Sequence, residues 1–543
     1  MKKVLIVILV VLLVVAAAAG GCIWYLNAHI FVEDAVYAKN SETLDLRGTD
    51  ISVAHYNSVQ SQLPDCEILW DVPFQGGSLS SDTTALTVTS LSDSDRAMLK
   101  YFPNLRKVDA TGCTDYAQLE ALCKQLPDCE VIYQVVLGGI SVDPGVTELT
   151  LEPGDFDYAL LMQNLSHLPG VQTILLKRVE LTLEEVDAIS MEYSGISVDY
   201  TVEILGVEYT SETAQLDLSA MTSGDVEAVS AALAMLPELT SVELMDANGT
   251  SGLTLEDVKA VQTAAANAVV HYTFDFFGVA VSTTDEEVKL TNKKIGDENE
   301  AQVRLALDVL ENCSRMVLDN CRLSNETLAQ IREDYREKTK VVWRVWFGDG
   351  GSSLTDAEVL RVVYGLGDDN SHDLMYLEDV RFMDLGHNEY LDGIPFVGYM
   401  TKLEAAIISG APIKSLEPLA NCTQLKFLEL ANCIYFTDLS PLANCTQLEM
   451  LNLSYAKVDD LSALDELNLT HLTYIHNKTS AEEEARFEKL HPDCWTVWEN
   501  GDQPYGAGWR YDTDNITKLP WYEKLSEAFK YPNPYNNVGW YLD

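Results

Sequence analysis

Positive charge is scarce in this chain. Its 543 residues carry 36 lysines and arginines against 84 aspartates and glutamates, a formal net charge of -48. Such a body repels phosphate backbones and anionic headgroups, which argues against nucleic acid as a partner. Catalytic signatures are missing as well. There is no GxSxG, HExxH, Walker loop or GxGxxG, and the nine histidines are scattered. No CxxC pair exists among the eleven cysteines, which excludes the usual zinc ribbons. No segment is low-complexity. No cofactor or metal is implied, and the reading is of a protein that is not an enzyme. Glycosidase-like chemistry, which needs only two placed carboxylates, is the catalytic alternative.

What is present is repetition. PLANCTQL occurs at Pro418–Leu425 and again at Pro441–Leu448. Around the copies runs an apolar ladder. Its rungs are Val380, Met383, Leu385, Asn388, then Leu403, Ala406, Ile408, Ala411. They continue with Leu425, Leu428, Leu430, Cys433, and Leu448, Leu451, Leu453, Ala456. Units of this length cannot bury an apolar face alone, so they stack. The short LxL segments should be strands with both leucines inward. The returns, such as DLSPLANCTQ, should be short helices or helical turns. The pattern resembles the leucine-rich repeat LxxLxLxx(N/C)x(L/I), with Asp438–Leu442 similar to the internalin-type subclass of bacterial repeats. The resemblance implies an α/β solenoid with a curved, mostly parallel strand face, acting as a protein-binding module at the cell surface.

The N-terminus is Met-Lys-Lys followed by Val4 to Leu26 without a charge. At about 1.5 Å per residue this stretch spans a bilayer core of roughly 30 Å. Trp24 and Tyr25 sit where an interfacial belt belongs. A single-pass anchor at 1–26 with the body outside is expected. A lipoprotein anchored at Cys22 and a cleaved signal are the alternatives.

Exported chains with many cysteines invite disulfides. Here Cys113, Cys321 and Cys433 fall at the ninth ladder position, and Cys422 and Cys445 match within the copied octamer. Equivalent positions are better read as small buried apolar residues with free thiols. Paired cysteines remain the alternative.

Upstream, residues 27–350 repeat at a longer period. Strand-like segments ending at glycine recur as CEILWDVPFQGG, CEVIYQVVLGG, ISVDYTVEILG, AVVHYTFDFFG and VVWRVWFG. Between them lie amphipathic helices, with capping-box signals at Thr182–Glu185 and Thr254–Asp257. Each period of about 65 residues reads β-α-β-α-β. We read longer, divergent leucine-rich units, with a string of small α/β modules joined by hairpins as the alternative. Residues 351–378 look like a junction, with a helical piece at Ala357–Tyr364. The regular repeats occupy 379–475.

From 476 the ladder is expected to stop, with a helix at Ala481–Leu490 and an aromatic-rich cap to 543. Trp495, Trp498, Trp509, Trp521 and Trp540 lie there. A glycan-binding or structural role for this aromatic segment is the alternative function. Asp512, Asp514 and Asn515 resemble a fragment of a calcium loop without its remaining ligands. The ladder register names candidate ligand-binding residues on the strand face. They are Phe382, Asp384, His387, Phe427, Glu429, Met450, Asn452 and Tyr455. Large apolar side chains there form an interaction stripe unless another part of the chain covers them. The partner is an unknown protein or glycan at the cell surface, with the membrane contacted through the N-terminal helix.

Overall fold

The computed structural model describes residues 2–33, 35–498, 510 and 517–530. It divides into two compact units, Met1–Thr213 with Ala231–Glu238, and Ala214–Ser230 with Leu239–Asp543. The first helix runs Lys2–Ala28. Among the described residues, no helix is long and apolar enough to cross a membrane. The span expected at 4–26 therefore gains no support from the fold.

In the first unit, parallel strands pair at repeat-unit spacing. Leu86 lies beside Val108 and Val108 beside Val131. Leu149 pairs with Ile174, and Ile174 with Val198. In the second unit Leu216, Val242 and Val270 align, as do Val288, Met316 and Val341. Each of these sheets is then closed by an antiparallel hairpin, for example Ser197–Ile204 with Val207–Thr210 and Lys340–Phe347 with Gly351–Leu354. The hairpin turns need φ > 0, supplied at Gln75-Gly76, Leu205-Gly206 and Phe277-Gly278. That is why each strand segment in the sequence runs out at glycine. Leucine-rich spacing is thus kept inside each module, while the hydrogen-bonded sheets remain separate.

The hairpins share a lock that the sequence reading missed. The backbone N–H of Trp70 donates to the Ser81 hydroxyl at 3.0 Å, and that of Ser81 donates back to the Trp70 carbonyl at 2.8 Å. Tyr272 with Thr283, and Trp343 with Thr355, repeat the exchange at 3.1 and 3.2 Å. The hydroxyl satisfies a buried donor where the chain leaves the parallel sheet. Helix starts follow their local signals. Thr182 with Glu185 and Thr254 with Asp257 form complete capping boxes.

The regular repeats build a seven-stranded parallel sheet. Its strands are Val359–Arg361, Phe382–Asp384, Ala405–Ile407, Phe427–Glu429, Met450–Asn452, His471–Thr473 and Trp495–Val497. The returns up to His471 are short 3-10 segments, such as Glu417–Asn421 and Ser440–Asn444, and the last return is α-helical. Two expectations are corrected. Ala357–Tyr364 is not helical, because Leu360 pairs with Met383 and the segment is the first rung. The ladder also does not stop at 476, because Trp495–Val497 adds a rung beside His471–Thr473. Both segments are too short to declare a period, and pairing with the adjacent rung decides them. The helix Ala481–Leu490 forms as expected.

Every described cysteine is a free thiol. At the ninth position Asn388 donates to the carbonyls of Val362 at 2.7 Å and Leu385 at 2.9 Å. Cys433 does the same job with Ile408 at 3.2 Å, and Cys321 with Leu290 at 3.5 Å. Burial pushes the Cys433 thiol up to about 12, so it stays protonated and able to donate.

Candidate interaction surface

The strand face is occupied by the chain itself. A helix at Pro520–Ala528 lies on it, and Trp521, Tyr522, Leu525 and Phe529 share one buried cluster with Phe382, Ala405, Ile407, Phe427 and Met450. The exposed stripe expected at Phe382, Phe427 and Met450 is therefore corrected. Phe427 is 1% exposed, and its ring meets that of Tyr522 edge-on at 4.8 Å. Asp384 and Asn452 are buried too, each accepting from a backbone N–H two residues on, those of Gly386 and Ser454.

Glu429 sits fully buried in the middle of this apolar face. A bare carboxylate there would be costly. Its Oε1 accepts from the Ser409 hydroxyl at 2.8 Å and the Arg510 guanidinium at 3.0 Å, and its Oε2 from the Tyr522 hydroxyl at 2.6 Å. Burial raises its proton affinity, but the Arg510 charge and the two hydroxyls more than reverse this, leaving Glu429 below the usual carboxylate value. At the rim, Trp521 Nε1 donates to Glu449 at 3.0 Å. Lys524 lies over the Trp521 ring, 4.4 Å from its centroid. The helix is thus addressed by both shape and charge. Trp509 and Trp540 of the aromatic segment, and Asp512, Asp514 and Asn515, lie outside the described residues.

What stays accessible is the edge of the sheet where each strand turns away. The residues there are Tyr364, His387, Gly410, Asn432, Tyr455 and His476, one per unit, all with positive φ between 57° and 76°. The conformation follows from the ladder. After the strand, the eighth-position N–H still donates to the next unit: His387 to Ser409, Gly410 to Ala431, Asn432 to Ser454 and Tyr455 to Ile475, each at 2.8 Å. Left-handed backbone costs about 1–2 kcal/mol for a side chain larger than glycine. The chain nevertheless places two tyrosines there. The row is paired at both ends. Tyr364 stacks on His387 with centroids 5.5 Å apart, and Tyr455 lies 4.6 Å from His476. Gly410 leaves room between them, since a Cβ there would be 3.2 Å from His387 Nδ1. Burial lowers the His387 pKa, against the pull of Asp384, so the ring is neutral at pH 7.

Of the eight residues named from sequence, His387 and Tyr455 lie in this row. The other six lie under or beside the covering helix. Tyr364 and His476 were missed, although extending the register one unit each way would have found them. Beside Tyr364 opens a cleft of about 540 Å³, lined among others by Asp349, His387, Asp369, Glu389 and Tyr390.

A parallel sheet with one strand per 21 to 24 residues, inward apolar pairs such as Leu428 with Leu430 and Leu451 with Leu453, and Asn or Cys tying neighbouring turns has the architecture of a leucine-rich repeat. No protein-family model matches the chain, and no curated protein matches it. Among solved structures it is similar to an internalin (inlF) of Listeria monocytogenes, with TM-score 0.23 and 16% identity over 78% of this chain and 83% of that one. It is also similar to a leucine-rich repeat protein of Leptospira interrogans, with TM-score 0.21 and 14% identity over 84% of this chain and 90% of that one. A third is the functional domain of InlJ from Listeria monocytogenes, which includes a cysteine ladder, with TM-score 0.19 and 12% identity over 74% and 71%. The repeat class rests on the ladder geometry above and not on these likenesses.

Proposed function

We propose that this chain is an exported leucine-rich repeat protein, held at the cell membrane by its N-terminal helix, that binds a protein partner at the cell surface and catalyses no reaction. One observation carries the reading: the row of Tyr364, His387, Asn432, Tyr455 and His476 along the sheet edge, in which His387, Asn432 and Tyr455 are held by backbone ladder bonds and none belongs to the buried cluster under the C-terminal helix. Rigid aromatic side chains on a regular scaffold supply contact area at low entropic cost, which is what binding hot spots use. Tyr390 and Tyr435, 80% and 61% exposed, extend the aromatic surface.

Export and anchoring rest on the uncharged run Val4–Leu26 behind Lys2 and Lys3. The glycan reading is second, because Trp521 and Tyr522 of the aromatic segment are spent on the strand face. The test is affinity capture by the full chain, with mass spectrometry of what is retained and of the mature N-terminus. The expected result is a protein captured by the wild type and lost from Tyr455→Ala, while Phe427→Ala matters only through stability. A partner retained equally by Tyr455→Ala and His387→Ala would remove the row from the reading.

A further inference from the structure

We propose that the cleft between Tyr364 and Tyr390 binds an alkylammonium group, supplied by a lysine side chain of the protein partner. The source of that group rests on the interaction role proposed above; the chemistry of the pocket does not.

The cleft is within the range of small-ligand sites, at about 540 Å³. Three carboxylates line it, Asp349, Asp369 and Glu389, and no lysine or arginine is among its described lining residues. Among the described residues, no cation forms a salt bridge with any of the three. This distinguishes the cleft from the charged pocket elsewhere in the same unit, where Arg332 and Arg336 are paired with Glu378, and Lys340 and Lys402 with Asp379. Two tyrosines add electron-rich rings, 51% and 80% exposed, and the His387 ring lies nearly parallel behind Tyr364 at 26°. A cation over such rings, with carboxylates at the rim, gains from both. An anion is repelled by the same groups, and His387, being neutral, does not repel a cation.

The floor is built to keep this arrangement open. Gly365 has φ +83°, and a Cβ there would lie 3.2 Å from Asp349 Oδ2. A Cβ on Gly367 would lie 3.1 Å from Asp369 Oδ1 and 3.2 Å from Tyr390 Cβ. Asn370 clamps both glycines, donating to the Gly365 carbonyl at 3.1 Å and accepting from the Gly367 N–H at 2.7 Å. The Gly348 N–H donates to the Asn370 carbonyl at 3.0 Å, which fixes the turn carrying Asp349. Side chains at the glycines would push the carboxylates away from the position a cation would take.

The full chain in detergent is titrated with Nα-acetyl-lysine-N-methylamide and, separately, with tetramethylammonium. Nα-acetyl-glutamate-N-methylamide and N-acetylglucosamine serve as controls, with saturation-transfer NMR as the readout. The expected result is millimolar binding of both ammonium probes that weakens with added salt. Tyr390→Ala and Asp369→Asn should each weaken the lysine probe about tenfold, and Tyr455→Ala should leave it unchanged. Binding of the sugar as tightly as the lysine probe would overturn the proposal, and so would a response unaltered in both cleft variants. Binding of tetramethylammonium alone would overturn the lysine source. The titration needs no partner, so it can fail while partner capture succeeds, and the reverse.

Discussion

The module at Glu287–Leu354 and the regular ladder differ most in what happens to outward-facing strand residues. In the module strand Glu287–Thr291 exposure alternates: Val288 and Leu290 are buried, while Glu287, Lys289 and Thr291 face water. In the four ladder strands from Phe382 to Asn452 every residue is buried. The inward positions are alike in both regions. The outward ones are charged or polar in that module strand, and in the ladder they include Phe382, Ile407, Phe427 and Met450. An apolar outward row on a strand face therefore announces a cover. It does not say whether the cover is another molecule or the same chain.

Removing the cover gives the largest effect. A chain ending at residue 516 loses Trp521, Tyr522, Leu525 and Phe529, each contributing about 1.5–3 kcal/mol by burial. Hydrogen exchange should rise at 382–384, 427–429 and 450–452, and a hydrophobic dye should bind. Exchange at 287–291 should not change. Equal protection of the ladder strands in both chains would show that the helix is not what shields them.

Much of this was legible in the sequence. The rungs from 380 to 456, the returns, the helix at Ala481–Leu490 and the buried ninth-position cysteines follow from a period that neighbouring units reinforce. The capping boxes are local, and they formed. What was not legible was set by distant contacts. The helix Pro520–Ala528 has its partners 70 to 140 residues away, and no periodicity links Tyr522 to Glu429. Ala357–Tyr364 reads equally as a helix turn or a rung until Leu360 meets Met383. Of the named site residues, those at the third and fifth positions went under the cover. Those at the eighth stayed out, because the left-handed turn carries them past the edge of the helix. A carboxylate at Glu429, central in an apolar row, was the signal that could have favoured an internal cover, since it demands a cation placed with precision.

That cation gives the next effect. Arg510→Met strands Glu429, and removing one partner of a buried pair costs about 3–5 kcal/mol. Adding Glu429→Leu should recover much of the loss. The comparison pair is Arg178 with Glu152, whose side chains are 39% and 47% exposed, and Arg178→Met should cost at most about 1 kcal/mol. Urea unfolding followed by tryptophan fluorescence measures all three, and equal costs for the two single variants would break the distinction. Acid should act at the same site. Glu429 has a lower pKa folded than the value of about 4.3 for a free glutamate. Its contribution is complete above that free value and is lost as pH falls through the folded one. Dye binding to the ladder face should therefore appear in the wild type only once the pH has fallen below the free-glutamate value, and the step should be absent from Glu429→Leu.

The smallest effects test whether the two regions share one ninth-position device. Asn388 makes three bonds: to Val362 and Leu385 through its amide, and from the Leu366 N–H at 2.9 Å. Asn388→Ala should cost about 2 kcal/mol, since several buried groups lose a partner. Cys433→Ala deletes one weak bond to Ile408 and leaves a small void, for about 1 kcal/mol. The ladder already accepts Ala411 and Ala456 at the same position, both essentially unexposed. Cys321 in the module points its thiol at Leu290 and Asp319, both at 3.5 Å, longer than the 3.2 Å of Cys433. If the thiol serves mainly as a donor, Cys321→Ala should cost less than Cys433→Ala in thermal melts. If it serves mainly as packing, the two should match, because both residues are 2% exposed or less. A larger cost at Cys321 would mean that the module closes its turn by a contact the ladder does not use.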